Sequence, residues 1–130
     1  MAHVLLDTTI LIDVMRGRPA VRRVRELLDL GDVPCTSAIN VEETVRGLRP
    51  GEEGAARWLV RGLPVVPIRI DEAWRAGEWR RAFERQGRTL SQGDCLVAAA
   101  ALSIGGRLAT GNPKDFPMEE LTVEHWPVGE

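Results

Sequence analysis

The chain has 130 residues, which is enough for one domain with an apolar core of its own. Hydrophobic residues make up 44% and charged residues 28%, and the net charge of −2 indicates neither a nucleic-acid binder nor a protein that repels nucleic acid. We expect no N-terminal signal, because Asp7 interrupts the apolar start of the sequence, and the longest weakly polar run, residues 95–106, is too short to span a bilayer. We therefore expect a single domain over residues 1–130, soluble and cytoplasmic, with Cys35 and Cys95 as buried reduced thiols.

The first predicted elements are a strand and two helices. Residues 4–6 are an apolar run typical of a strand buried on both faces. After Asp7, a short helix follows with Thr8 or Thr9 as its cap, and the run Gly17 to Pro19 ends it. Apolar residues at helical spacing over 21–28 predict a second helix, which Gly31 ends.

The middle of the chain repeats this alternation. Residues 33–36 are predicted as a strand, and Asn40 as the cap of the helix that follows it. A further helix is predicted over 52–61. The next strand is predicted over 65–70, where Pro64 and Pro67 favour an edge position or an irregular strand.

The last third carries two more helices and two more strands. Asp71 is predicted to cap a long amphipathic helix, in which Trp74, Trp79 and Phe83 are interpreted as core residues. Ser91 is predicted to cap a helix over 92–104 that is apolar almost all round and therefore central. Strands follow at 107–110 and 121–124. Strands that alternate with helices predict an α/β fold with right-handed crossovers and a mostly parallel sheet.

Four acidic residues, Asp7, Glu43, Asp94 and Asp115, follow strands or begin helices at what would be one edge of this sheet. Ligands of parallel sheets bind at the carboxyl ends of the strands, so the topology predicts that these acids come together. Each also has a structural interpretation. Glu43 and Asp94 stand three residues after Asn40 and Ser91, the spacing of a capping box, and Asp115 alone is a loop acid. Asp7 is the hardest to explain structurally, because it ends an apolar strand where an unpartnered carboxylate is costly.

Crowded carboxylates with no histidine or cysteine cluster suit a hard cation, Mg²⁺ or Mn²⁺. The hydroxyls of Thr8 and Thr110 and the amide of Asn112 are candidates for the outer shell of such a site. Lys114 is the only lysine among 17 basic residues, and most arginines are interpreted as solvated helix faces. The arginines considered as guides for an RNA backbone are Arg16, Arg18, Arg22, Arg23 and Arg25, and Arg75, Arg80, Arg81, Arg85 and Arg88.

Four stretches of the chain carry a family resemblance: Val4 to Thr9, Glu43 to Gly47, Asp94 to Ala101 and Leu108 to Phe116. In this order and at this spacing they resemble the PIN-domain nucleases, and most closely the VapC-type toxins of toxin–antitoxin pairs. The resemblance implies a PIN-like three-layer α/β/α sandwich, typically a homodimer, with the tail of a cognate VapB-type antitoxin across the acidic groove.

For the site, the resemblance implies that Asp7 and Asp94 are the principal metal ligands and that Glu43 and Asp115 complete the cluster. Glu42 is an alternative to Glu43. Many relatives have an acid where this chain has Asn112, so the fourth carboxylate is either Asp115 or is lost at that position. The implied activity is Mg²⁺- or Mn²⁺-dependent endoribonuclease cleavage of RNA phosphodiester bonds.

Two other functions fit parts of the sequence. A receiver-like signalling domain would bind Mg²⁺ beside a phosphoacceptor at Asp71, but its first strand requires paired acids and this chain has one. A catalytically inactive PIN-like module that binds RNA or a protein is the second alternative, and the departure at Asn112 keeps it open.

Overall fold

A five-stranded sheet lies at the centre of the molecule, described by a computed structural model over residues 1–129. The strands are β1 (His3–Leu6), β2 (Val33–Ser37), β3 (Val65–Val66), β4 (Arg107–Thr110) and β5 (Thr122–His125). Their order is β3-β2-β1-β4-β5, and every neighbouring pair is parallel. The chain builds one half of the sheet outward from β1 and then returns to build the other half from β4. The switch point of the topology, where ligands of such sheets bind, therefore lies between β1 and β4.

Within the described residues, six α-helices cover the two faces of the sheet: α1 (Thr8–Met15), α2 (Ala20–Asp29), α3 (Ala38–Arg46), α4 (Glu53–Arg61), α5 (Ile70–Glu84) and α6 (Gln92–Ser103). The apolar residues of α1 and α2 pack on one face, with part of α4, and those of α5 and α6 pack on the other. The fold is the predicted three-layer α/β/α sandwich with a parallel central sheet.

The central strand β1 shows why the sequence folds this way. Side chains alternate between the faces of a strand, so Leu5 enters the core under α5 and α6 while Val4 and Leu6 enter the core under α1 and α2. All three are at most 1% exposed. Helix α6 lies deep in its layer because its buried face is mostly alanine, whose small side chain permits close approach to the sheet.

Several predicted boundaries are confirmed, and the third strand is shorter than predicted. Strand β4 covers the predicted residues, and Ser91 caps α6 by accepting the backbone N–H of Asp94. Strand β3 has two residues instead of six, at the predicted sheet edge. Pro67 has no N–H to donate, so the hydrogen-bond ladder with β2 ends at Val66.

Two predictions about α5 are wrong. The cap is not Asp71, because the helix begins at Ile70 and the carboxylate of Glu72 accepts the backbone N–H of Arg69 at 2.8 Å. Trp79 is buried and Phe83 packs against the core, but Trp74 is 72% exposed. Five residues advance a helix by about 500°, so Trp74 faces away from the side on which Trp79 meets the core.

Both cysteine thiols are buried and free, as predicted. Burial raises the pKa of each thiol to about 11, so both stay protonated at neutral pH. Within residues 1–129, no helix combines the length and the apolar character needed to cross a membrane.

Candidate metal centre

Asp7 stands at the switch point, directly after the central strand. Its backbone N–H donates to the Ala109 carbonyl at 2.9 Å, which extends the pairing of β1 with β4 to the acid itself. The side chain is 6% exposed. Thr110 Oγ1 donates to Asp7 Oδ2 at 2.8 Å, and Asn40 Nδ2 lies 3.3 Å from Oδ1. The end of strand β4 and helix α3 thus each supply a donor that fixes this carboxylate.

Glu43 is bound to the residue that follows Asp7. Thr8 Oγ1 donates to Glu43 Oε1 at 2.6 Å, while its neighbour Glu42 is exposed. This contact favours Glu43 over Glu42 as the acid at the site. Glu43 lies in the second turn of α3, not the first as predicted, because the helix begins at Ala38 with Ser37 as its cap. The predicted cap Asn40 is inside the helix and fully buried.

Asp94 enters from the opposite layer, in the first turn of α6. Its position is set by Ser91, whose Oγ accepts the Asp94 N–H at 3.0 Å. Gly93 brings this turn against Glu43: a Cβ at Gly93 would lie 3.3 Å from Glu43 Oε2. A glycine therefore allows the two acid-bearing helices to meet closely at this point.

Asp115 occupies a short 3-10 turn, Pro113–Asp115, after β4, and its side chain is exposed. The base of this loop is tied to the site, because the Asn112 N–H donates to Thr110 Oγ1 at 3.0 Å. The side chain of Asn112 is exposed and makes no hydrogen bond with residues 1–129, so its predicted outer-shell role has no support from the contacts. Thr8 and Thr110, in contrast, hold carboxylates as predicted.

The carboxylates are coupled through their charges. Desolvation is the main cause that raises the pKa of Asp7, and the charge of Glu43 adds to it. The pKa of Asp94 is raised to about 6, first by desolvation and then by the charges of Asp115, Asp7 and Glu43. The other three predicted acids therefore lie near enough to Asp94 to affect its ionisation.

The charge of this cluster is not balanced by side chains. The ion pairs formed within residues 1–129 involve Glu52, Glu53, Glu120, Asp32 and Glu124, and none involves the four acids. Carboxylate oxygens without a neutralising Lys or Arg are the donor set that a hard divalent cation prefers, so the residues present fit such an ion. Across residues 1–129, no three His, Cys, Asp or Glu side chains form a complete ligand set around one point. Like charges repel, so closing these carboxylates around one point requires a cation.

Two residues of this site were missed by sequence reasoning. Asn40 was assigned to a cap because Asn followed by Glu at the third position has the form of a capping box. Gly93 carries no chemical group to attract notice. A signal for Asn40 was available in Ser37, an equally good cap three residues earlier that places Asn40 on the inner face of the helix.

Comparisons with known proteins agree with this architecture. A family model described as "PIN domain" matches residues 4–117. The chain is 30% identical to Ribonuclease VapC19 of Mycobacterium tuberculosis, over 88% of this chain and 92% of that protein. It is 27% identical to the tRNA(fMet)-specific endonuclease VapC of Shigella flexneri, over 97% of this chain and 99% of that one.

Among solved structures, the fold is similar to a chain of VapBC-1 from nontypeable Haemophilus influenzae, with a TM-score of 0.80 and 28% identity. The match covers 95% of this chain and 98% of that chain. The sequence match over most of the chain and the shared sheet topology agree with each other. The chain therefore belongs to the PIN domain family, in its VapC branch.

Proposed function

We propose that this chain is an endoribonuclease that acts as the toxin of a toxin–antitoxin pair. The observation that carries the proposal is the cluster of Asp7, Glu43 and Asp94 at the switch point, whose charges are coupled and which has no ion pair with a basic side chain within residues 1–129. Relatives with the names ribonuclease and endonuclease support the choice of RNA as substrate. With an RNA substrate, we also propose that the protein acts in the cytoplasm.

PIN-domain VapC nucleases generally depend on a divalent metal. For this chain we propose Mg²⁺ or Mn²⁺, held by Asp7, Glu43 and Asp94 with Asp115 as the outermost acid. The all-oxygen donor set supports these ions over zinc, which prefers nitrogen and sulfur ligands. Held by these carboxylates, such a cation would supply polarisation of the scissile phosphate and a lower pKa for a bound water.

The residues of the chain prepare the site for that chemistry. Thr110 and Asn40 orient the Asp7 carboxylate, and Thr8 orients Glu43. The Asp94 carboxyl, with a pKa of about 6, is ionised at neutral pH and available as a ligand. In the hydrolysis, the water oxygen bonds to phosphorus and gives up one proton, the bond from phosphorus to the leaving oxygen breaks, and the leaving oxygen takes up a proton.

Four of the ten arginines considered as guides for RNA contact other side chains of the protein. Arg16 pairs with Glu52 at 2.9 Å, Arg23 lies over Trp126, Arg75 over Trp79 and Arg88 over Phe83. These contacts give the four arginines a role within the protein, and the interpretation of most of the others as solvated helix faces stays a prediction. We propose that cleavage selectivity depends on RNA shape and on which phosphate reaches the carboxylates.

We propose a small VapB-type antitoxin as the neutralising partner, and a homodimer as the state of the free toxin. The similar chain from H. influenzae is part of VapBC-1, which supports the proposal of an antitoxin partner. Coexpression with the product of an adjoining small reading frame is expected to yield a stable complex without RNase activity. Sedimentation equilibrium of the free chain tests whether it is a homodimer.

The receiver-like alternative is not favoured. Its phosphoacceptor Asp71 is an exposed residue in the first turn of α5, after the edge strand β3 rather than at the switch point. The inactive-module alternative predicts RNA binding without cleavage, so an activity assay separates it from the proposal.

The test incubates the purified chain with a circular structured RNA, which has no ends and is opened only by internal cleavage. We expect opening with Mg²⁺ or Mn²⁺ and none with a chelator, or with Asp7→Asn or Asp94→Asn. Cleavage by both variants at the wild-type rate would contradict the site assignment. Binding of the RNA without opening under every condition would favour the inactive module.

A further inference from the structure

Asn40 is a fully buried polar side chain in the first turn of α3, one turn before Glu43. Its amide nitrogen lies 3.3 Å from Asp7 Oδ1 and 3.1 Å from Thr8 Oγ1. One side chain therefore contacts both the acid that ends β1 and the hydroxyl that holds the acid of α3. Buried amides need partners on both ends, so the opposite end of the group decides whether this contact is fixed.

Ser37 fixes the orientation of the amide. Its hydroxyl donates to Asn40 Oδ1 at 2.6 Å and also accepts the Asn40 backbone N–H as the cap of α3. With the carbonyl oxygen of the amide held by a donor, the NH₂ group must point to Asp7 and Thr8. The Ser37 hydroxyl thus both caps α3 and sets the orientation of the Asn40 amide.

The orientation passes through Thr8 to Glu43. A threonine hydroxyl has a single proton to donate. Because Thr8 Oγ1 accepts from Asn40, that proton is directed to Glu43 Oε1, at 2.6 Å. The chain of bonds Ser37, Asn40, Thr8 and Glu43, with its branch to Asp7, is called the relay below.

We propose that Asn40 is a positioning residue of the metal centre, which sets the carboxylates of Asp7 and Glu43 relative to each other through the relay. The inference rests on the proposed function, since it concerns the same site. The relay holds Asp7 Oδ1 and Glu43 Oε1. Thr110 holds Asp7 Oδ2 from the side of the sheet, and no hydrogen bond formed within residues 1–129 reaches Glu43 Oε2. Outer-shell partners of this kind orient ligands and change metal affinity by about 10- to 100-fold when removed.

A matched control lies one turn further along the same helix. Thr44 is 1% exposed, and its hydroxyl donates to the Asn40 backbone carbonyl at 2.7 Å. Thr44→Val removes a buried hydrogen bond from α3 without contacting an acid. A loss of stability is expected from both Thr44→Val and Asn40→Leu, but a change in metal affinity is expected only from Asn40→Leu.

The experiment measures the Mn²⁺ dissociation constant by electron paramagnetic resonance, together with the thermal unfolding midpoint without metal. The proteins compared are the wild type, Asn40→Leu, Thr8→Val, their double variant and Thr44→Val. We expect Asn40→Leu and Thr8→Val each to weaken Mn²⁺ binding by about 10-fold. In the double variant, the fold-loss of Mn²⁺ affinity is expected to be smaller than the product of the two single fold-losses, since both substitutions act on Glu43 through one relay.

Three results would overturn the proposal for Asn40. One is a Mn²⁺ affinity of folded Asn40→Leu equal to that of the wild type, and another is an equal loss of affinity in Thr44→Val. The third is full additivity of the two relay variants. Should Asn40→Leu not fold, unchanged affinity in Thr8→Val, at a half-buried position, overturns the relay by itself. A wild-type protein that binds no Mn²⁺ would instead contradict the proposed function from which the inference starts.

Discussion

The two halves of the acidic edge are built in different ways. Asp7 and Glu43, the anchored pair, are held by hydroxyl and amide donors from three elements of the fold. Asp94 and Asp115, the open pair, are less constrained. Asp94 is set by its helix cap, and within residues 1–129 no hydrogen bond reaches the exposed carboxylate of Asp115.

This difference indicates a division of roles. Carboxylates with fixed rotamers define where an ion sits before it arrives, and less constrained ones adjust to complete its coordination. The anchored pair is therefore expected to determine affinity, and the open pair to tune it. The predictions below test that ranking.

The largest effect is expected from the anchored pair. Asp7→Asn removes a charged ligand and also places an amide donor against Thr110 and Asn40, so Mn²⁺ affinity should fall by more than about 100-fold, beyond the range of outer-shell changes. Calorimetric titration measures this loss, and cleavage of circular RNA should be lost with it.

The matched control for Asp7 is Asp13→Asn. Asp13 is a 2% exposed aspartate of α1 whose oxygens accept the backbone N–H groups of Ala20 and Gly129, both at 2.9 Å. This variant should lose stability and keep its Mn²⁺ affinity. Equal losses of affinity in the two variants would show that burial, and not the site, matters.

The open pair predicts a pH dependence of metal binding. Because the pKa of Asp94 is about 6, protons compete with the cation below that pH. The apparent Mn²⁺ affinity should fall about 10-fold between pH 8 and pH 5, and Asp94→Asn, already weaker, should show a flatter profile. A wild-type profile as flat as that of the variant would contradict the assignment.

The same carboxyl should affect the stability of the metal-free protein. The pKa of Asp94 is about 6 in the folded state against an ordinary 3.8, so the folded state binds the proton more tightly. This contribution is fully present below pH 3.8 and is lost as pH rises through 6. Since the group is half exposed, the loss is about 1 kcal/mol after discount for solvent screening.

The measurement is the difference in unfolding free energy between wild type and Asp94→Asn from pH 4 to pH 8. A difference is needed because the pKa values of Asp32 and Glu52 are lowered, so these groups lose stability in the opposite direction, as pH falls. Wild type should lose stability relative to the variant as pH rises. A gain would reverse the sign and contradict the account.

The smallest effect is expected at the exposed end of the cluster. Asp115→Asn should weaken Mn²⁺ binding by less than about 10-fold, since its carboxylate is solvated and unanchored. Asn112→Asp, at the position where the family resemblance implies an acid, tests whether the fourth carboxylate has moved to Asp115. If Asp115→Asn weakens Mn²⁺ binding as much as Asp7→Asn does, the division between the anchored pair and the open pair is wrong.

The sequence predicted the frame of the site better than its internal contacts. Strands β1 and β4 were predictable because a short apolar run flanked by a polar residue is typical of a buried strand. The cap Ser91 was predictable because a serine directly before an apolar helix is a local sequence signal. Asn40 was not, because the same side chain can cap a helix or occupy a core, and only the packing of α3 against α1 decides. The burial of Trp74 and Trp79 was not predictable for the same reason. Both are large apolar residues of α5, and which of them is buried depends on the face of α5 that packs against α6.

The central claim, that the anchored acids form a metal centre, is tested most directly by two adjacent residues of one helix. Glu43 accepts from Thr8 inside the site, and Glu42 is exposed beside it. Mn²⁺ binding is measured for wild type, Glu43→Gln and Glu42→Gln under the same conditions. The account predicts wild-type affinity in Glu42→Gln and at least a 10-fold weaker one in Glu43→Gln, on the order expected for a ligand. Wild-type affinity in Glu43→Gln, or an equal loss in Glu42→Gln, would contradict it.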